Sequence, residues 1–181
     1  MATSSGPVDD EVVAALVGLA LGYAAAVDTL DGTAFADLFT ADGELWVPDP
    51  VAGGAPTILR TGRGRLERIP SGLARYHATH HAVRSGTYEV AGDTARGEVI
   101  GVAHHLSAGD DATGAGVDVI WHLRYVDDYE ATGDGWRIRR RALHLRGLEE
   151  RALSHLGPGR GAADCVRATE RSPGRRPTLG P

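Results

Sequence analysis

The strongest constraint on this chain lies in its second half, where four long β-like segments follow one another at about 78–90, 94–107, 116–130 and 135–147. Short turn signals separate them: Gly92-Asp93, the stretch from Ser107 to Gly116, and Gly133-Asp134-Gly135. Glycine and aspartate tolerate the backbone conformations that tight hairpins need. Consecutive segments are therefore expected to pair as antiparallel hairpins, and at this length to curl into one twisted sheet.

The first half is helical in pattern. Asp9-Asp10-Glu11 places acids in a first turn, where they complement the helix dipole. Leu16, Leu19, Tyr23, Val27 and Leu30 recur at helical spacing, which predicts a helix from about Asp10 to Leu30, broken by Asp31-Gly32. Thr33 is placed to cap a second short helix through Phe39. Asp42-Gly43 reads as a turn, and Leu45-Trp46-Val47 opens a strand that Pro48 and Pro50 end. A loop over 49–56, a short strand from Thr57 to Thr61 and a helix from Arg65 to Tyr76, kinked at Pro70, follow. Leu148 to Leu156 suggests a terminal helix. Helices first and strands afterwards is an α+β order, and three helices across the concave face of a curled sheet would enclose a pocket. Residues 1–9 and the Gly-, Pro- and Arg-rich stretch 157–181 are expected to be disordered, leaving 10–156 as a single domain.

Composition removes several chemistries. The chain has no Lys, Asn or Gln, and all 19 of its basic residues are Arg, so a lysine Schiff base and a P-loop lysine are excluded. Its single cysteine, Cys165, allows no intrachain disulfide. A formal net charge of −5 gives no general case for nucleic acid or an anionic membrane. The N-terminus has no basic region before an apolar core, and the run from Val12 to Val27 is short and rich in Ala and Gly, so a cytoplasmic location is the expectation.

The candidate chemistry sits in Tyr76-His77-Ala78-Thr79-His80-His81, read with Asp28 upstream. A carboxylate that orients an imidazole builds a general base near neutral pH. Asp28 falls at the end of the first helix, where the dipole disfavours an acid, and that misfit points to a specific role. In a strand, His77 and His81 share a face while His80 points the other way. There is no His-x-His pair and no adjacent carboxylate to complete a facial triad, so no metal is expected. Trp46, Trp121 and Tyr125 read as core or pocket wall, and His77 as pocket rim. Arg141 lies in the run Arg139-Arg140-Arg141; Leu143 and Leu145 share its strand parity, whereas Trp136 and Ile138 require a bulge to share its face.

Three stretches together resemble one family. They are Tyr23-x-x-x-x-Asp28 followed by Phe35-Ala36-Asp37-Leu38-Phe39-Thr40-Ala41-Asp42-Gly43; the histidine segment ending at His81; and Tyr125-Val126-Asp127-Asp128-Tyr129-Glu130 followed by Gly135-Trp136-Arg137-Ile138. Their order and spacing over about 10–147 resemble the SnoaL-like branch of the nuclear transport factor 2-like superfamily, with scytalone dehydratase, bile-acid 7α-dehydratase and hexachlorocyclohexane dehydrochlorinase among its members. The resemblance implies a cone-shaped α+β barrel with a deep apolar pocket. It implies His81 as the base, Asp28 as its partner acid, Tyr23 as a pocket tyrosine, Arg141 as a pocket arginine, and His104 or His105 as a second polar position. The dehydrochlorinase's lysine has no counterpart here, nor does the asparagine of limonene epoxide hydrolase.

The expectation is a cofactor-independent acid–base enzyme, a dehydratase, isomerase or cyclase, acting on a small hydrophobic and cyclic substrate of natural-product type. Trp46, Trp121, Tyr125 and His77 would contact that substrate. The alternatives are a non-catalytic ligand- or partner-binding member of the same fold, or an epoxide-opening enzyme. A homodimer or homotrimer formed through the outer sheet face is expected as well.

Overall fold

The computed structural model describes residues 10–49, 55–109, 115–157 and 159. The segments expected to be disordered, 1–9 and all of 157–181 but Gly157 and Gly159, lie outside these residues. Helix α1 spans Asp10–Asp28 and turns Leu16, Leu19, Ala20, Tyr23, Ala24, Ala26 and Val27 inward. It is long and apolar enough by composition to cross a membrane, yet this face packs against the sheet, mainly against the strand that carries His81. The helix ends in a Schellman arrangement: Asp31 N–H donates to Ala26 O (2.9 Å) and Leu30 N–H to Val27 O (3.2 Å). Leu30 takes the left-handed position at φ 59°, where glycine is usual.

Helix α2 spans Gly32–Asp37. Its cap is Asp31, not Thr33, because the Asp31 carboxylate accepts from Ala34 N–H at 2.9 Å. Strand β1 runs from Phe39 to Pro48, so Asp42-Gly43 lies within a strand instead of preceding one. Pairing with the last strand slips between Phe39 and Glu44, which absorbs the expected turn as an irregularity. Strand β2 is Pro56–Thr61. The expected third helix is one turn, α3 (Arg63–Leu66), and then a 3-10 turn (Pro70–Leu73), because Pro70 cannot continue the α-helical ladder.

The remaining strands are β3 (Ala78–Ala91), β4 (Thr94–Ala108), β5 (Gly116–Thr132) and β6 (Gly135–Leu153). They form the expected antiparallel hairpins, in a six-stranded sheet ordered β2-β1-β6-β5-β4-β3. The sheet is not antiparallel throughout, since β1 joins β6 in parallel. The expected terminal helix over Leu148–Leu156 is also corrected. Residues up to Leu153 continue β6, with Leu153 opposite Gly116, because the first half of β5 would otherwise present an unpaired edge. Local helix propensity at Leu148-Glu149-Glu150-Arg151 yields to that ladder.

One core fills the space between the helices and the sheet. Leu16, Phe35, Leu45 and Ile138 are fully buried there, with Tyr23, Val99 and Tyr129 beside them. A register slip places Asp128 opposite Arg140 and Tyr129 opposite Ile138, leaving Arg139 as the extra residue. This bulge lets Ile138 and Arg141 share the inner face, both essentially buried.

Candidate functional site

A cavity of about 250 Å³ opens between α1, the 3-10 turn and the inner face of the sheet. Val27, Leu45, Ile69, Leu73, Leu123 and Leu143 make much of its wall, and the polar rings of Tyr23, Tyr76, His81, His105 and Trp121 also line it. Its volume falls just under the ~300 Å³ at which ordinary small-molecule pockets begin.

Asp28 is the last residue of α1, and its carboxylate is aimed at β3. It collects three donors: Thr79 Oγ1–H to Oδ1 at 2.9 Å, His81 N–H to Oδ2 at 2.8 Å, and His81 Nδ1 to Oδ1 at 2.7 Å. Thr79 and His81 reach the same carboxylate because alternate strand residues share a face. Burial alone would raise the Asp28 pKa, but the side-chain and backbone hydrogen bonds from His81, with the one from Thr79, overcome it and hold the carboxyl below its ordinary value. Asp28 is therefore ionised near neutral pH and can only accept, so the proton between the pair belongs to His81 Nδ1. That assignment leaves Nε2 of His81 as the basic nitrogen. The two side chains are only 10% and 21% exposed, so water competes weakly for their hydrogen bond.

His105, opposite Thr79 on β4, is 5% exposed. Its Nδ1 lies 3.1 Å from Val119 O, which makes that nitrogen the donor. Burial pushes its pKa down, so His105 stays neutral beside His81, their ring centroids 5.8 Å apart in an edge-on arrangement. Tyr76 stacks at 4.8 Å and Trp121 at 5.4 Å from His105. Burial also pushes the Tyr23 phenol up to about 12, which keeps it protonated and able to donate.

Several residues expected at the site are elsewhere. His104 faces the opposite side of the sheet, where its Nδ1 pairs with Asp118 Oδ2 at 2.7 Å. Strand alternation turns only one of two neighbouring histidines inward, and here it is His105. Trp46 also leaves the cavity: its indole N–H donates to Glu44 at 3.0 Å and Arg140 lies over its ring. His77 precedes β3 and lies 2.9 Å from Gly157 O through Nε2, outside the cavity lining. Arg141 points inward but is 1% exposed and held in a two-pronged pair with Asp127, at 2.9 and 2.7 Å. Asp127 also accepts from Tyr129 O–H at 2.7 Å, and the guanidinium lies between the Tyr23 and Tyr125 rings, at 4.5 and 4.9 Å. Arg141 and Tyr125 border a separate void of about 10 Å³ next to His81 and do not line the larger cavity.

Thr79, Arg60, Arg75 and Tyr76 were not among the sequence candidates, yet Thr79 bonds Asp28 and the other three line the cavity. Thr79 was legible as the residue two before His81 on the same strand face. The other three depend on where β2 and the 3-10 turn come to rest. Among the described residues no three His, Cys, Asp or Glu side chains converge as a metal site.

The arrangement can move a proton. Nε2 of His81 is free to accept one, the Asp28 carboxylate is placed to stabilise a protonated imidazole, and Tyr23 and neutral His105 offer hydrogen-bonding groups in the same apolar enclosure.

Comparison with known proteins agrees with this architecture. No curated protein matches the chain. Among solved structures, a provisionally named scytalone dehydratase from Novosphingobium aromaticivorans is 20% identical with a TM-score of 0.63, covering 81% of this chain and 94% of its own. A type-3 hexachlorocyclohexane dehydrochlorinase from Novosphingobium barchaimii is 18% identical at a TM-score of 0.64, covering 81% and 94%. An NTF2-like protein with a cystatin-like fold from Novosphingobium aromaticivorans is 22% identical at 0.56, covering 75% and 82%. At these identities the likeness is one of fold. The SnoaL-like domain family matches residues 11–142, most of the chain, and this protein belongs to that family, built on the NTF2-like fold.

Proposed function

We propose that this protein is a cofactor-independent acid–base enzyme, a dehydratase, isomerase or cyclase, acting on a small hydrophobic cyclic substrate through Asp28 and His81. The observation that carries the reading is the 2.7 Å hydrogen bond between Asp28 Oδ1 and His81 Nδ1, with the imidazole in the wall of an apolar cavity. Its kinship with proteins named for dehydration and dehydrochlorination supports the same class.

In a dehydration, Nε2 of His81 takes the proton from a carbon next to the one bearing the hydroxyl. The C–H electron pair becomes the double bond, and the C–O bond breaks. The departing oxygen takes a proton from the imidazolium and leaves as water, so the base returns to its starting state. In an isomerisation the same proton goes back to a different carbon. Neutral His105 and Tyr23 would hold the substrate oxygen on which negative charge develops, and positioned acid–base catalysis of this kind contributes about 10²–10⁴-fold.

The test needs no foreknowledge of the substrate. The protein is incubated in D₂O with a panel of small cyclic ketones and β-hydroxy ketones, and deuterium uptake at carbon or loss of water is followed by NMR and mass spectrometry. Wild type should exchange or convert at least one compound. His81→Ala should lose about 10²–10⁴-fold, Asp28→Ala less, and the double variant little more than His81→Ala, because the pair acts as one unit. Additive losses would refute the pair as one unit, equal rates in wild type and His81→Ala would refute His81 as the base, and no conversion of any compound by wild type would leave the non-catalytic binding reading in its place.

A further inference from the structure

Among the described residues two arginines line the cavity, Arg60 from β2 and Arg75 from the segment after the 3-10 turn, while no Asp or Glu does. This is unexpected in a chain whose 24 acidic residues outnumber its 19 arginines. Arg63, Arg96, Arg124, Arg141 and Arg151 each have a carboxylate partner. Arg60 and Arg75 have none among the described residues: Arg60 donates to its neighbour's carbonyl, Leu59 O, at 3.0 Å, and Arg75 to the Tyr76 hydroxyl at 3.1 Å. Each bond uses one N–H of a guanidinium that carries five, so both keep donors in reserve.

Both arginines are exposed, whereas His81 and His105 lie deeper, which gives the cavity a polarity along its length. Among the lining residues Arg60, Arg75 and Ile58 are exposed, Val47, Ile69 and Leu73 are half-buried, and the imidazole pair is well shielded. Arg75 is also fixed in place, its guanidinium 4.8 Å over the Tyr76 ring that in turn stacks on His105. A planar guanidinium held against a ring with free N–H groups suits an anionic oxygen group.

We infer that the substrate is an apolar ring body carrying an anionic oxygen group, a carboxylate or a phosphate, which Arg60 and Arg75 hold at the cavity mouth while the ring reaches His81. The inference rests on the reading of this cavity as the substrate site, and it adds the charge of the molecule that enters. The anion acts as the handle and the imidazole as the tool. Binding energy from the non-reacting end would then orient the reacting carbon against Nε2.

Three probes of one shape test it by isothermal titration at low salt: 2-naphthoate, 2-naphthyl phosphate and neutral 2-naphthamide. Wild type should bind at least one anion about tenfold more tightly than the amide, a modest ratio because both arginines are exposed to solvent. Which anion wins identifies the group. The preference should shrink as salt rises from about 0.01 to 0.5 M, because the attraction is screened. Arg60→Gln and Arg75→Gln should each cut it about threefold, and together bring anion and amide to parity. Equal affinity for anion and amide in wild type, no anion binding up to millimolar concentration, or a preference that survives the double substitution would each overturn the inference. His81→Ala should keep the preference; if it loses it, the imidazole holds the anion and the arginine assignment is wrong. Because these measurements read binding alone, a charge preference without turnover sinks only the acid–base reading, and turnover without charge preference sinks only this one.

Discussion

The buried pair Arg141–Asp127 is where a catalytic and a structural assignment separate most sharply. The side chains are 1% and 0% exposed, and two hydrogen bonds of 2.9 and 2.7 Å join them. Arg141→Met removes both, leaving the Asp127 carboxylate with only the Tyr129 hydroxyl. Two charge-assisted bonds at ~1.5–3 kcal/mol each give ~3–6 kcal/mol. The stranded carboxylate recovers part of that by taking up a proton, so a loss of about 3–5 kcal/mol is expected, in line with broken buried pairs elsewhere. For a chain of this size that lowers Tm by about 6–20 °C. Asp127→Ala should fall in the same range, because it strands a guanidinium. Replacing the group as a unit, Asp127→Leu with Tyr129→Phe and Arg141→Met, should return to within about 2 kcal/mol of wild type, since no buried polar group is then orphaned. Urea denaturation followed by circular dichroism measures all four proteins. A loss under about 1 kcal/mol for Arg141→Met would refute the argument, and unchanged stability with collapsed turnover would restore Arg141 to the catalytic role its position resembles.

Two further predictions follow from the end of α1. Because the Asp28 pKa is lowered in the folded protein, its stabilisation is fully present above the unfolded value near 3.9 and is lost as pH falls through the folded value. The stability gap between wild type and Asp28→Asn, read from urea midpoints, should thus be constant above about pH 5 and close below about pH 4; an equal gap at pH 3 and pH 6 would contradict the hydrogen-bond account. Leu30 sits at φ 59°, so Leu30→Gly should be about 1 kcal/mol more stable than Leu30→Ala, the reverse of the order in an ordinary helix. An alanine variant as stable as the glycine variant would mean the left-handed turn carries no strain.

Much of the framework was legible in residue order because the signals are local. Helical spacing from Leu16 to Val27 marked α1, and Gly92-Asp93 and Gly133-Asp134-Gly135 marked two hairpins that exist. Matching motifs at Asp28 and His81 named two positions that the fold brings within 2.7 Å, although 53 residues separate them in the chain. The largest miss in the fold has a non-local cause. Whether Leu148–Leu153 is helix or strand depends on an unpaired half of β5, which no window of its own sequence contains.

The same division runs through the site. Sequence alone supplied the chemistry that could act, with histidines and carboxylates but no lysine, and put His81 on the opposite strand face from His80 through the two-residue period of a strand. It could not say which of His104 and His105 turns inward, because that depends on how β4 registers against β3 and β5. It could not reveal that Arg141 is spent on Asp127, since a single extra residue at Arg139 sets the phase of β6. Nor could it find Arg60 and Arg75 at the cavity, because β2 and the 3-10 turn reach that place through contacts with distant segments. Periodicity and turn chemistry are properties of neighbours along the chain, whereas register, bulge phase and partner choice are settled by the whole sheet closing on its core.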